Sequence, residues 1–299
     1  MTVRPTGQTG ALVGVYKDGR LTDRKDRLAT EEPLEIRVVI GGVSRTVAVT
    51  MRTPGSDFEL AAGFLFAEGV VTRKEQVLRI SYCKDADLPP EQLYNIVIVE
   101  LDPSLRPDLS PLDRHFHTSS SCGVCGKASL ESISLRGIDK VGEGPLLGAD
   151  VIGLLPDRLR QAQRLFESTG GLHAAGLFLP SGDLVAARED VGRHNAVDKV
   201  VGWALLEGLI PLDGHILMVN GRSSFDIAQK AAVARLPIVC SVSAPSSLAV
   251  DVAREFGMTL VGFVRGEVFN VYAGGDRIAI PGGGSSTVHS GSATSPPAP

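Results

Sequence analysis

Two thiols three residues apart dominate the chemistry open to this chain: Ser119-Ser120-Ser121-Cys122-Gly123-Val124-Cys125-Gly126-Lys127 sets Cys122 and Cys125 among serines and glycines. Glycine lets a backbone turn tightly and approach a partner closely. The stretch from Lys127 to Ile133 can begin a helix, whose positive end favours the thiolate, the reactive form of cysteine. Redox exchange, metal ligation and sulfur carriage all use such a pair. The other two cysteines, Cys83 and Cys240, lie in apolar, strand-like runs and read as buried small residues. They form no second pair, so a four-ligand structural zinc site is disfavoured. The His-x-Glu and Pro-Cys-x-x-Cys signature of zinc deaminases is absent. A thioredoxin-type pair would follow an early strand of a βαβ unit, whereas this one lies in a mid-chain serine-rich loop. His115 and His117 precede the pair, but histidines at that spacing are more often solvated or packed than metal-bound, and no metal site is expected. A thiol that accepts and passes on a group remains.

A second set of polar residues lies on turns that follow apolar runs. Ile216 to Asn220 leads through Gly221-Arg222-Ser223-Ser224 into a helix-like stretch ending near Arg235, and Pro237 to Ser243 leads through Ala244-Pro245-Ser246-Ser247 into another ending near Phe256. Thr259 to Phe263 closes the series, so the order is βαβαβ and implies a largely parallel sheet with helices on its faces. In such a sheet the turns after the strands emerge at one edge, the expected ligand site. Ser223, Ser246 and Ser247 would sit at helix N-termini, where free N–H groups and the helix dipole attract anions, and Arg222 adds a cationic fork suited to phosphate. Any one of these serines alone would be read as a helix cap. Together, with Ser243 at the end of its strand, they tilt the reading toward a phosphate-bearing ligand. Neither GxGxxG nor GxxxxGK[ST] occurs, so standard dinucleotide and NTP loops are disfavoured.

Two histidines complete the candidate set. His173 follows Thr169-Gly170-Gly171, a helix stop, and near the sheet edge it could bind phosphate or stack on a base. His194 lies in Arg188-Glu189-Asp190-Val191-Gly192-Arg193-His194-Asn195-Ala196-Val197-Asp198-Lys199, which on its own reads as a capped, salt-bridged helix entry with Asp198 and Lys199 solvated.

The elements that must position these residues divide the chain as follows. Residues 1–32 are polar and poorly patterned, an extended arm with one short strand at Ala11 to Tyr16. Residues 33–115 form a small α+β domain. Its signals are a hairpin around Gly41-Gly42, a Ser56-Asp57-Phe58-Glu59 capping pattern opening a helix that Gly69 ends, and strands at Val77 to Cys83 and Leu93 to Leu101. Residues 116–155 connect, and carry the thiols on a loop, where chemistry tends to lie. Residues 156–281 form the α/β domain, opening with a helix from Pro156 to Ser168, then a hairpin around Ser181-Gly182-Asp183, then a helix from Val191 to Glu207. Residues 282–299, rich in Gly, Ser, Thr and Pro, read as disordered.

Composition bounds the function. With 299 residues, 43% hydrophobic and 21% charged, the chain supports a substantial core, and a net charge of −4 argues against a general nucleic-acid binder. No apolar run approaches the roughly 18 residues of a membrane span, and no signal-peptide core follows Met1 to Pro5, so a cytoplasmic protein without membrane or nucleic-acid partners is expected.

Taken together, Cys122 to Gly126, Thr169 to Phe178, Glu189 to Lys199, Val242 to Val250, and Thr259 to Phe263 with Val271-Tyr272 make the sequence resemble the FdhD family over roughly residues 33 to 280. These are sulfurtransferases that serve formate dehydrogenase. The resemblance implies a protein that takes persulfide sulfur from a cysteine desulfurase and delivers it to the molybdenum cofactor, Mo-bis(molybdopterin guanine dinucleotide), destined for formate dehydrogenase. Cys122 matches the persulfide carrier and Cys125 an assisting thiol. The cofactor-binding segment falls on Phe263, Val264, Arg265, Gly266, Glu267 and Val268. The implied fold is a cytidine-deaminase-like α/β/α sandwich with a mostly parallel sheet, and the implied assembly a homodimer. Two other readings stand beside it: a thiol-disulfide oxidoreductase, and a non-enzymatic carrier of the molybdenum cofactor.

Overall fold

The structure is a computed structural model describing residues 6–84, 89, 93–110, 112 and 139–280. It begins with a ribbon of β1 (Gln8–Lys17) and β2 (Arg20–Ala29), joined by Asp18 and Gly19 with φ of 51° and 77°. Both turn residues are left-handed, the geometry that Asp-Gly supplies to a two-residue hairpin. The expected arm with one short strand is therefore a full hairpin. The charges of β2 hide its alternation, but Asp18-Gly19 was the legible signal.

Next, β3 (Glu32–Ile40) and β4 (Val43–Arg52) flank Gly41-Gly42, and β5 (Val77–Tyr82) and β6 (Ile96–Leu101) complete a four-stranded sheet of order β4-β3-β6-β5. Between β4 and β5 lies α1 (Asp57–Ala67). Its expected capping box does not form, because Ser56 adopts φ 55° and makes no side-chain cap bond. Asp57 instead accepts two hydrogen bonds from the buried Arg52 guanidinium at 3.0 and 3.2 Å, and one from the Tyr82 hydroxyl at 2.9 Å.

A short β7 (Leu147–Gly148), paired with β14 (Ile278–Ala279), leads into α2 (Ala149–Ala162) and α3 (Arg164–Thr169). The single helix expected from Pro156 starts seven residues earlier and breaks at Gln163. The break has a cause far along the chain: Glu189 accepts from the Leu165 and Phe166 N–H groups at 3.0 and 2.7 Å, so its carboxylate caps a new helix start.

The larger sheet is built from β8 (His173–Phe178), β9 (Leu184–Asp190), β10 (Ile216–Val219), β11 (Ile238–Ser241), β12 (Thr259–Arg265) and β13 (Val268–Ala273), in the order β13-β12-β11-β10-β8-β9. Only β10–β11 and β11–β12 are parallel pairs; the others are antiparallel. The sheet is thus mixed rather than mostly parallel. Short turns join β8 to β9 and β12 to β13, and such turns bring strands back antiparallel, since a parallel neighbour needs a long crossover.

Helices cover both faces. On one, Ile152, Leu155 and Leu159 of α2 pack against Phe178, Ile216 and Met218. On the other lie α4 (Arg193–Glu207), α5 (Phe225–Val233) and α6 (Ser247–Glu255). The expected apolar face of α4, Ala196, Val197, Val200, Val201, Ala204 and Leu205, is at most 1% exposed. The core on this face runs without interruption into Leu60 and Leu65 of α1 and Leu34 and Ile36 of β3, so the two halves of the chain share one interior. Helices α1 and α4 cross at Gly63 and Gly202, where a Cβ on either would lie 1.9 Å from a carbonyl oxygen of the other helix. Glycine at both positions is what permits the approach.

Candidate functional site

Strands β10, β11 and β12 run parallel, so their C-terminal ends share one edge of the sheet. Because β8 is antiparallel to β10 and pairs His173 with Asp190 at the end of β9, that edge also gathers the start of β8 and the entry of α4. His173, His194, the Gly221–Ser224 turn, the Ser243–Ser246 turn and the β12–β13 hairpin therefore come together there.

Backbone bonds hold the turns in register. Ser223 and Pro245 form a parallel bridge, and the Ser246 N–H donates to the Ser223 carbonyl at 2.9 Å. The Phe263 N–H donates to the Ser243 carbonyl at 3.3 Å, and the Ser241 hydroxyl donates to that same oxygen at 2.8 Å. A Cβ on Gly262 would lie within 3.1 Å of Pro245, Tyr272 and the Ser243 carbonyl, and one on Gly221 would lie 3.2 Å from His173 Nδ1. The glycines thus set the spacing of the turns.

The serines divide by role. Ser246 is exposed, and its hydroxyl accepts from the Ala249 N–H at 3.2 Å, so it caps α6. Ser224, at the start of α5, makes no cap bond and contacts His194 Nε2 at 3.1 Å instead. Ser223 is fully buried, and its hydroxyl oxygen has no hydrogen-bond partner among the described residues; buried Arg193 Nε lacks one as well. Arg222 is exposed.

Electrostatics keep both histidines neutral. Burial pushes His194 down to about 4, with Arg193 and Lys230 adding to the effect and Asp226 opposing it. With the ring neutral, the 3.4 Å approach of His194 Nε2 to Asp226 Oδ2 is not an ion pair at neutral pH. His173 is lowered first by burial and then by Arg193, while Asn220 pulls the other way. Asn220 was missed in the sequence. Its side-chain oxygen accepts from the Ala174 N–H at 2.9 Å, continuing the β8–β10 ladder past the strand end. An asparagine directly after an apolar run was the available signal.

The Glu189–Lys199 stretch differs from its sequence reading, since Asp198 and Lys199 are 3 and 2% exposed rather than solvated, and Asp190 is 0% exposed. Lys199 Nζ lies 2.6 Å from Asp190 Oδ2 and donates to the carbonyls of Thr53 and Glu189. Asp190 also accepts from the N–H groups of Thr53 and Gly192 and from Asn195 Nδ2. Every charge in this pair is met, as a buried pair requires. Asp198 meets Lys230 at 2.6 Å; burial pushes its carboxyl up while Lys230 pulls against it. These residues brace the edge from beneath.

In the hairpin, Phe263 is 37% exposed with φ 55°, Val264 is buried in the α2-side core, and Arg265, Gly266, Glu267 and Val268 are exposed. A Cβ on Gly153 of α2 would lie 2.4 Å from the Gly266 carbonyl, so α2 supports the turn closely. Cys122, Cys125, His115, His117 and the tail 282–299 lie outside the described residues. Among the described residues no group of three or more His, Cys, Asp or Glu side chains could hold a metal ion, and no helix is long and apolar enough to cross a membrane. Of the remaining cysteines, Cys240 is fully buried with its thiol pushed up to about 12, so it is not a reactive thiolate, and Cys83 is buried too.

The fold defines a mixed α/β protein with a polar site at one sheet edge, and a solved structure shares it. A protein from Desulfotalea psychrophila, described as a formate dehydrogenase accessory protein, matches with a TM-score of 0.71 and 25% identity, over 91% of this chain and 99% of that one. The profile of the FdhD/NarQ family matches residues 29–279. The sulfur carrier protein FdhD of Streptomyces coelicolor is 51% identical over 267 residues, 88% of this chain and 93% of that protein. Its counterpart from Mycobacterium tuberculosis is 51% identical over 259 residues, 85% and 92% of the two chains. The chain belongs to the FdhD/NarQ family.

Proposed function

We propose that this protein is a cytoplasmic sulfur carrier that serves formate dehydrogenase. Cys122 takes a sulfur atom from the persulfide of a cysteine desulfurase and passes it to the molybdenum cofactor, with Cys125 assisting. The observation that carries the reading is 51% identity across 267 residues to a protein named as a sulfur carrier, in a chain that has Cys122 and Cys125 three residues apart.

The transfer balances without an external oxidant. The Cys122 thiolate attacks the terminal sulfur of the donor persulfide, a new S–S bond forms on Cys122, and the donor cysteine leaves as thiolate. Passing the sulfur on regenerates the Cys122 thiolate provided the acceptor supplies the electron pair of the new acceptor–sulfur bond, since the pair of the broken S–S bond returns to Cys122.

Mo-bis(molybdopterin guanine dinucleotide) is the sulfur-accepting substrate in this reading. The edge suits a phosphate-bearing molecule in three respects. Ser223 Oγ and Arg193 Nε are buried donors left without a partner among the described residues. Arg222, next to Ser223 in the turn, and Arg265, on the β12–β13 hairpin, are exposed cations at the same edge. The α5 N-terminus carries no side-chain cap, so its N–H groups remain for an anion. Arg222, Ser223, His173 and the Phe263–Val268 hairpin would hold the guanine dinucleotide portions, with Val264 contributing backbone only, because its side chain is in the core. We assign Ser243 and Ser246 to holding the turn and His194 to a neutral hydrogen bond beneath it. The α/β/α layering is consistent with the cytidine-deaminase-like sandwich that the resemblance implies, and we expect a homodimer.

Mass spectrometry of the full chain after incubation with a cysteine desulfurase and cysteine tests the carrier role. A one-sulfur increment on Cys122, lost in Cys122→Ala, is the expected result. A Cys122–Cys125 disulfide without any increment would replace the proposal with thiol-disulfide exchange. Formate dehydrogenase activation that persists in Cys122→Ala would leave a non-enzymatic cofactor carrier.

A further inference from the structure

All but the last residue of the β1–β2 ribbon lies outside the family profile, which matches residues 29–279. A two-stranded ribbon is marginal in water on its own. This one forms a sheet by itself and exposes Leu12, Tyr16 and Leu21 at 70, 74 and 71%. Its two outer edges differ in kind. Strand β2 carries Arg20, Asp23, Arg24, Lys25, Asp26 and Arg27, the charged composition that blocks strand pairing. The only charge on β1 is Lys17, at its end.

The register identifies which backbone groups of β1 face outward. Lys17 pairs with Arg20 across the two-residue turn and Val13 with Arg24, so odd-numbered residues bond inward to β2. The N–H and C=O groups of Gly10, Leu12, Gly14 and Tyr16 point away from the ribbon.

We propose that β1 pairs antiparallel with β1 of a second copy of this chain, about a two-fold axis at Val13, giving a four-stranded sheet. Outward groups meet outward groups only when even-numbered residues pair. The register centred on Val13 sets Leu12 against Gly14 of the second copy and Tyr16 against Gly10 of the second copy. Each large side chain then lies over a glycine, with Ala11 against Val15 on the opposite face, the complementarity that stabilises cross-strand pairs. Gly14 already receives a side chain in this way: a Cβ there would lie 3.3 Å from Leu21 Cδ1. Four hydrogen-bonded residue pairs supply about eight backbone bonds between the copies. The surface rests on the homodimer expected above for the existence of a dimer, and on the ribbon alone for its location.

Sedimentation velocity of the full chain, with backbone amide exchange read residue by residue, tests the pairing. We expect a dimer in which the Gly10, Leu12, Gly14 and Tyr16 amides exchange slowly. Leu12→Pro deletes an outward N–H and leaves the inward ladder its donors, so it should weaken association about tenfold or more, whereas Lys25→Glu on the far edge should leave it unchanged. A dimer whose four amides exchange freely, or one unaffected by Leu12→Pro, overturns the β1 surface while a homodimer through another face stands. A chain that stays monomeric at every concentration overturns both. Protection of these amides only on adding a cysteine desulfurase or formate dehydrogenase overturns self-pairing in favour of that partner.

Discussion

Replacing Gly202 by alanine tests the claim that α1 and α4 touch through their backbones. The new Cβ would lie 1.9 Å from the Glu59 carbonyl oxygen and 2.6 Å from the Gly63 nitrogen. Ordinary contact begins near 3.4 Å, so the helices must separate by about 1.5 Å, and both colliding groups are backbone with no rotamer to yield. Overpacking a core costs about 1–3 kcal/mol, and a backbone clash of this size belongs at the upper end. Alanine returns about 1 kcal/mol of helix propensity relative to glycine, leaving a net loss of about 2 kcal/mol. At about 2–4 °C per kcal/mol for a chain of this order, the melting temperature should fall by about 4–8 °C. Thermal unfolding followed by circular dichroism, with urea unfolding as a second probe, measures this. Gly63→Ala meets the Asp198 carbonyl at the same crossing, so the double variant should cost less than the sum of the two. An unchanged or raised melting temperature in Gly202→Ala would refute the backbone contact, because propensity alone predicts stabilisation.

Two further perturbations address the charges beneath the edge. Lys199→Met strands the fully buried Asp190 carboxylate and should cost about 3–5 kcal/mol, with Asp190→Asn in the same chain recovering part of it; a loss below about 1 kcal/mol would contradict the buried pair. His194 is held down to about 4 in the folded chain against 6.5 unfolded, so between these values the unfolded chain binds a proton that the folded one refuses. Stability should therefore be fully present above 6.5 and decline as pH falls toward 4, by on the order of 3 kcal/mol from this group. Urea midpoints across that window should fall less steeply in His194→Gln, and identical profiles for the two proteins would exclude His194 as the source.

Local signals carried much of the fold. Gly41-Gly42 between β-branched runs marked β3–β4, and helical spacing marked the buried face of α4. Turns after apolar runs place Gly221–Ser224 and Ala244–Ser247 along one edge from sequence alone, because strand direction brings such turns together. What escaped depends on partners distant in sequence. The break at Gln163 is imposed by Glu189, and the burial of Asp190 and Lys199 by Thr53, more than a hundred residues earlier. The mixed sheet follows from the short turns that join β8 to β9 and β12 to β13, which return each strand antiparallel. Nothing near Gly63 or Gly202 announces a helix crossing, since the requirement exists only once both helices are in place. The thiols were the plainest chemical signal, and they lie outside the described residues.

The shared interior has a consequence for how the polypeptide comes together. Residues before 113 contribute α1, β3 and the Thr53 backbone, and residues after 138 contribute α4 and the Asp190–Lys199 pair that Thr53 completes. Each part leaves apolar surface and buried charge that only the other covers. The chain is in effect a pair of complementary fragments on one string. Expressed as separate polypeptides, residues 1–112 and 139–299 should be insoluble or unstable alone and should reassemble without a covalent link when produced together.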